Sequence, residues 1–305
     1  MRNETAEEGP RSSQRHAEEP ESASANSNRA RNNLKVRSYA HRQTGAQRLG
    51  CVREKASVDA CAPVFVNCAM FPYVYEINFG GWFHLLYFGL IIPGMAISQA
   101  RKFSDLQKPL PNRLRHFQRT AFMLVFFGAI SLLIARSEWM GLFPRAIPSW
   151  RAMLAGILMF VVAVLLMRPA WRRAVERRTR VVHLFMPANA TERVWWIAVA
   201  VLAGISEEIT WRGVQAGLTM ALTRSVLIAM LFCSISFSAG HIIQGWKSAA
   251  VILFFALGFH ALVWLSGSLY VAMAVHIAYD VTAGISYGRL GRELGYSLEA
   301  TAPSP

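Results

Sequence analysis

Three short stretches toward the C-terminal end set acids and histidines inside hydrophobic runs: EEITWRG (Glu207 to Gly213), FSAGH (Phe237 to His241) and HIAYD (His276 to Asp280). Between Val194 and Gly288 the only acidic residues are Glu207, Glu208 and Asp280, and all three fall in these stretches. An ionisable group at the centre of a bilayer helix costs roughly 2.5–3.5 kcal/mol on insertion scales, so several together require a partner or a function. Arg212 follows Glu208 by four residues and can reach back along the same helix face, which makes Glu208 the anchored carboxylate of an intrahelical ion pair. Adjacent helix positions diverge by about 100°, so Glu207 faces elsewhere and is the candidate general base. His276 and Asp280 repeat the four-residue spacing, placing an acid where it can orient the imidazole or take its proton. His241 stands alone, four residues after Phe237. Gathered in one bundle, these groups can polarise a water and hold the oxyanion formed when it attacks an amide.

The elements that must position them are membrane helices. The 305 residues are 53% hydrophobic and 16% charged, with mean hydropathy +0.28, an apolar content above that of a soluble domain of this size. Apolar runs long enough to cross ~30 Å of hydrocarbon as helix recur near 82–98, 120–135, 150–167, 194–219, 225–246, 249–266 and 269–287. The expected fold is therefore all-α: a polytopic transmembrane bundle of about seven spans, with the reactive residues in the C-terminal ones. The second half of the fourth run, after Arg212, is mild enough to be a short amphipathic segment along the interface. Ala198, Ala200, Ala203 and Gly204 give the face before Glu207 small residues for close helix contact. The chain divides into a polar tail (1–69), N-terminal membrane helices (70–189), the reactive helices (190–288) and a C-terminal tail (289–305).

A net charge of +14 raises nucleic acid as a partner, but the basic residues flank spans and are not interleaved with aromatics as in a nucleic-acid surface. Arg101, Lys102, Lys108, Arg113, Arg115 and Arg119 follow the first span; Arg168, Arg172, Arg173, Arg177, Arg178, Arg180 and Arg193 follow the third. The positive-inside rule makes both loops cytoplasmic and leaves the C-terminus inside. Residues 1–69 are too poor in apolar side chains to support a core and are expected to be disordered. They carry no secretory signal, and Met70 is an alternative start of translation. Cys51, Cys61 and Cys68 lack metal-finger spacing, and Cys233 reads as a packed thiol. No internal repeat, phosphate-binding glycine loop or G-x-S-x-G motif is present.

Other readings of the same residues exist. Glu207, Glu208 and Arg212 can be a structural ion-pair network, and His241 a histidine bonded to a neighbouring carbonyl. His84 and His260, with no acid one turn away, are structural by the same logic. Trp195, Trp196 and Tyr270 are interface anchors. A proton-coupled transporter also uses intramembrane acids and histidines, although transporters usually show paired repeats with broken helices. A catalytically idle membrane regulator is a third class.

The three motifs in order, each on its own expected helix, resemble the CAAX protease and bacteriocin-processing (CPBP, or Abi) family over residues 190–288. The resemblance implies an all-helical intramembrane endopeptidase related to the CAAX prenyl endopeptidase of the Ras-converting type. It implies that Glu207 and His241 activate the attacking water, that His276 and Asp280 hold the oxyanion, and that Glu208 and Arg212 support them. The commoner final motif ends in Asn; a charged Asp280 repels an oxyanion, so this residue either carries a proton or acts on His276. The family carries a metalloprotease label, and Glu207, His241 and His276 are a chemically reasonable Zn²⁺ shell. No His-Glu-x-x-His pair accompanies them, and metal-free glutamate catalysis is the preferred expectation. The partners implied are the lipid bilayer and a membrane-associated peptide or protein substrate, with a CAAX-like tail, a leader or a sorting tail as the cleaved segment. The expected location is a bacterial inner membrane.

Overall fold

The structure, a computed structural model, describes residues 76–103, 111–144 and 146–295. The expected disordered tail, the Met70 start and the three tail cysteines lie outside the described residues. The first span is α1 (Phe79–Leu86), a π-helical turn (Tyr87–Ile91) and α2 (Ile92–Phe103). Then come α3 (Arg113–Ser137), α4 (Trp150–Glu176), the short α5 (Arg180–Phe185) and α6 (Ala190–Glu207). A second π segment (Glu208–Gln215) runs directly into α7 (Ala216–Thr223), followed by α8 (Val226–Gly240), α9 (Trp246–Ser266) and α10 (Leu269–Glu293). No strand occurs among the described residues. The chain is a polytopic helical bundle.

Short polar residues start these helices. Asn78, Asn112, Ser149, Asn189, Ser225 and Ser268 each accept a first-turn backbone N–H, capping α1, α3, α4, α6, α8 and α10. Such a cap satisfies donors that the helix leaves unpaired, a need sharpened where water is scarce. Two glycines set helix separation. A Cβ on Gly128 would lie 2.7 Å from Ser206 Oγ, and one on Gly204 would lie 2.5 Å from Ile277 Cγ1 and 2.9 Å from its backbone N. Hence α3 and α10 both approach α6 closely, and the small face expected before Glu207 is used, with Ala200 and Ala203 buried beside Gly204.

Among the described residues, six helices are long and apolar enough to span a membrane: Phe79–Arg101, Arg113–Ser137, Trp150–Glu176, Ala190–Thr223, Trp246–Ser266 and Leu269–Glu293. The run expected as a fifth span at 225–246 is instead the 15-residue α8, about 22 Å long and shorter than the hydrocarbon. It stops at His241, where a 3-10 turn (Ile242–Gln244) and Gly245 at φ +95° redirect the chain into α9. The stretch after Arg212 is not an interfacial segment either. Residues 208–219 are all buried, so their mild hydropathy reflects polar side chains facing other helices. Finally, α10 continues to Glu293, five residues into the expected C-terminal tail.

Candidate active site

The reactive residues sit at helix junctions. Glu207 is the last α-helical residue of α6, and Glu208 opens the π segment that also carries Arg212. Such i→i+5 turns within a helix occur mostly as single bulges, often at functional sites. His276 and Asp280 lie in α10, and His241 caps the C-terminus of α8.

His276 is the centre of the arrangement. Its Nδ1 lies 2.8 Å from Glu208 Oε1, a hydrogen bond in which the ring donates to the carboxylate. Its Nε2 lies 3.7 Å from Glu207 Oε2 and 3.6 Å from Asp280 Oδ2. The two glutamates were expected to diverge, yet both address one residue. The reason is that an imidazole has a nitrogen on each edge, so two carboxylates separated around a helix can meet opposite sides of one ring. Glu208 also faces Arg212 Nη1 at 3.2 Å, the four-residue ion pair anticipated from spacing. That contact is coulombic, because Nη1 forms no aligned hydrogen bond. The guanidinium is packed over Phe237 (4.3 Å to the ring centroid) and Phe259 (5.3 Å), and Phe259 stacks on His276 at 5.1 Å.

Exposure grades across the site. The side chains of Arg212 and Glu208 are 0% exposed, His276 9%, Glu207 15% and Asp280 29%. A sealed charge pair therefore backs a ring whose reactive edge, with Glu207 and Asp280, opens outward. His241 is partly exposed, and its Nδ1–H donates to the Phe237 carbonyl oxygen, 2.8 Å away. It lies within electrostatic range of Asp280, but no hydrogen bond or ion pair links it to the other site residues among those described. Among the described residues no three His, Cys, Asp or Glu side chains are grouped to hold a metal; the Glu208 bond at His276 Nδ1 leaves Nε2 as the ring nitrogen facing Glu207 and Asp280.

Some contributors were not anticipated. Trp196, expected at the interface, is buried against Phe117 and Phe185, and its Nε1 donates to the Asp280 carbonyl oxygen at 3.2 Å. The hint in the sequence is Gly284, one turn beyond Asp280, whose missing side chain leaves room for the indole. His84 and His260 are also buried. Cys233 is a buried free thiol.

Residues 189–282 match the family model described as type II CAAX prenyl endopeptidase Rce1-like. This segment belongs to the Rce1-like family. It contains Glu207, Glu208, Arg212, His241, His276 and Asp280, and it begins one residue before α6. No curated protein and no solved structure matches the chain. The chain thus carries an Rce1-like domain within a multi-pass helical bundle.

Proposed function

We propose that the chain is an intramembrane endopeptidase that hydrolyses a peptide bond of a membrane-associated substrate by a glutamate-activated water, in the inner membrane of a bacterium. The observation that carries this reading is the His276 ring held between Glu208 on one edge and Glu207 with Asp280 on the other. Glu207 takes a proton from the water as its oxygen attacks the carbonyl carbon, and His241 orients that water. With Nδ1–H fixed on Glu208, a ring carrying its second proton presents Nε2–H to the oxyanion. The C–N bond then breaks as the proton on Glu207 passes to the leaving nitrogen. No step runs through a metal. The family description favours a CAAX-like tail as the cleaved segment, with a leader peptide or a sorting tail as the other candidates.

The test compares N- and C-terminal peptides of the membrane proteome in a deletion strain complemented with the parent, Glu207→Ala or His241→Ala. A cleaved product should appear with the parent alone. Both variants should reach the membrane at parental levels, because neither residue belongs to the sealed ion pair. Near-parental cleavage by either variant refutes the assignment.

A further inference from the structure

The second π segment must be held in register, because that register presents Glu208 to both His276 and Arg212. A run of i→i+5 turns lacks the regular i→i+4 ladder, so outside contacts have to fix it. One set is a buried chain of hydrogen bonds to the first and second spans. Thr210 Oγ1 lies 2.9 Å from Ser131 Oγ, which lies 3.0 Å from His84 Nε2. His84 Nδ1 lies 2.7 Å from Gln215 Oε1, and Gln215 Nε2 donates to the Leu85 carbonyl oxygen at 3.3 Å. All four side chains are fully buried.

The donor directions close consistently. Since the Gln215 amide nitrogen donates to Leu85, its oxygen must accept, so His84 Nδ1 carries the proton and Nε2 accepts from Ser131. Ser131 then accepts from Thr210. The first span is shaped for this contact: it turns π-helical at Tyr87–Ile91, and a Cβ on Gly89 would come within 2.7 Å of Gln215 Nε2. Its Phe88 ring meets Trp211 edge-on at 5.6 Å, and Trp211 meets Phe237, the residue under Arg212 and His241.

We propose that His84 is a positioning residue for the Glu207–Glu208 pair, gripping the π segment at Thr210 through Ser131 and at Gln215 directly. This rests on the protease reading above. His84 and Ser131 lie outside the matched segment 189–282, so the Rce1-like domain relies on two preceding helices for the geometry of its carboxylates.

Hydrogen-exchange mass spectrometry on the purified full-length protein tests it, with parent, His84→Ala, His84→Gln and Ser131→Ala. In His84→Ala the amides of 208–215 should exchange about tenfold faster while those of 246–266 keep parental rates, because the opening is local. His84→Gln, which supplies one donor and one acceptor, should restore most of the protection. On a substrate identified by the terminal-peptide comparison, kcat should fall by about tenfold or more with KM nearly unchanged, as expected of a misplaced reacting group. Should His84→Ala fail to accumulate, Ser131→Ala carries the same expectation for 208–215. Parental exchange at 208–215, or loss that His84→Gln does not reverse, overturns the positioning role. Selective exchange in a parent that cleaves nothing overturns the protease reading instead.

Discussion

Arg212→Ala removes a guanidinium that lies 3.2 Å from Glu208 Oε1, with both side chains sealed from solvent. What remains is a carboxylate whose Oε2 has no hydrogen-bond partner among the described residues and whose Oε1 keeps only His276 Nδ1 at 2.8 Å. Breaking a buried ion pair by removing one member costs ~3–5 kcal/mol. Losing the contacts over Phe237 and Phe259 adds about 0.5–2 kcal/mol. The two terms share one group and overlap, so a loss of about 4 kcal/mol is expected, a large share of the ~5–15 kcal/mol typical of whole domains. At 1.4 kcal/mol per tenfold, that raises the unfolded fraction by nearly three orders of magnitude. Pulse–chase abundance in membranes and thermal unfolding in detergent read it. The double variant Glu208→Leu with Arg212→Ala separates the ion pair from the cavity, since removing both charges should recover most of the stability. Parental abundance of Arg212→Ala, or a double variant as unstable as the single, refutes the argument.

Three further outcomes follow from the geometry. Gly204→Val drives atoms into Ile277 side chain and backbone and should lower stability by about 1–3 kcal/mol in the same unfolding assay; parental stability would mean that α6 and α10 do not approach so closely. Glu138, just beyond α3, has its carboxyl pKa raised above the ordinary 4.5 by burial, against the pull of the Asn78 and Gly81 backbone N–H groups. A raised carboxyl favours the fold most while protonated and loses that contribution as pH climbs through the folded value. Glu138→Gln should therefore melt higher than the parent near neutral pH and lose its advantage toward acid, and a constant difference across pH would contradict this. Asp280→Asn should lower cleavage at every pH, since the carboxylate faces His276 Nε2 at 3.6 Å. A profile equal to the parent's throughout the alkaline range would make the Asp280 carboxyl a protonated donor instead.

Much of the fold was legible because bilayer thickness dictates both the length and the apolarity of a span. Six of seven expected runs are such helices. The exception is informative: between Phe237 and Gly245 the sequence stays largely uncharged through Ile242 and Ile243, and hydropathy cannot register that the helix stops at His241. The same limitation misplaced 208–219. Thr210, Gln215 and Thr219 lower the hydropathy as an interfacial segment would, but here they bond inward, Thr219 to the Gln215 carbonyl oxygen and Gln215 to the first span. Trp196 was misassigned because a tryptophan near a helix start has the same signature whether it faces headgroups or a neighbouring helix.

Within the site, spacing disclosed what lies on one helix and nothing of what lies across. The Glu208–Arg212 contact follows from four-residue periodicity, whereas the Glu208–His276 bond joins residues 68 apart and depends on how α6 and α10 dock at Gly204. That docking sets the charge balance on which the proposed reaction depends. With His276 carrying both protons, the ring and Arg212 supply two positive charges against three carboxylates. When the water attacks, its proton neutralises Glu207 as the oxyanion forms, so the site again holds two positive and three negative charges. The reaction moves a negative charge from Glu207 to the oxyanion, both beside His276 Nε2, without creating one. In a low-dielectric bundle, where an added charge is far more expensive than in water, a transition state that only shifts charge across one fixed imidazolium is the kind such a site can stabilise.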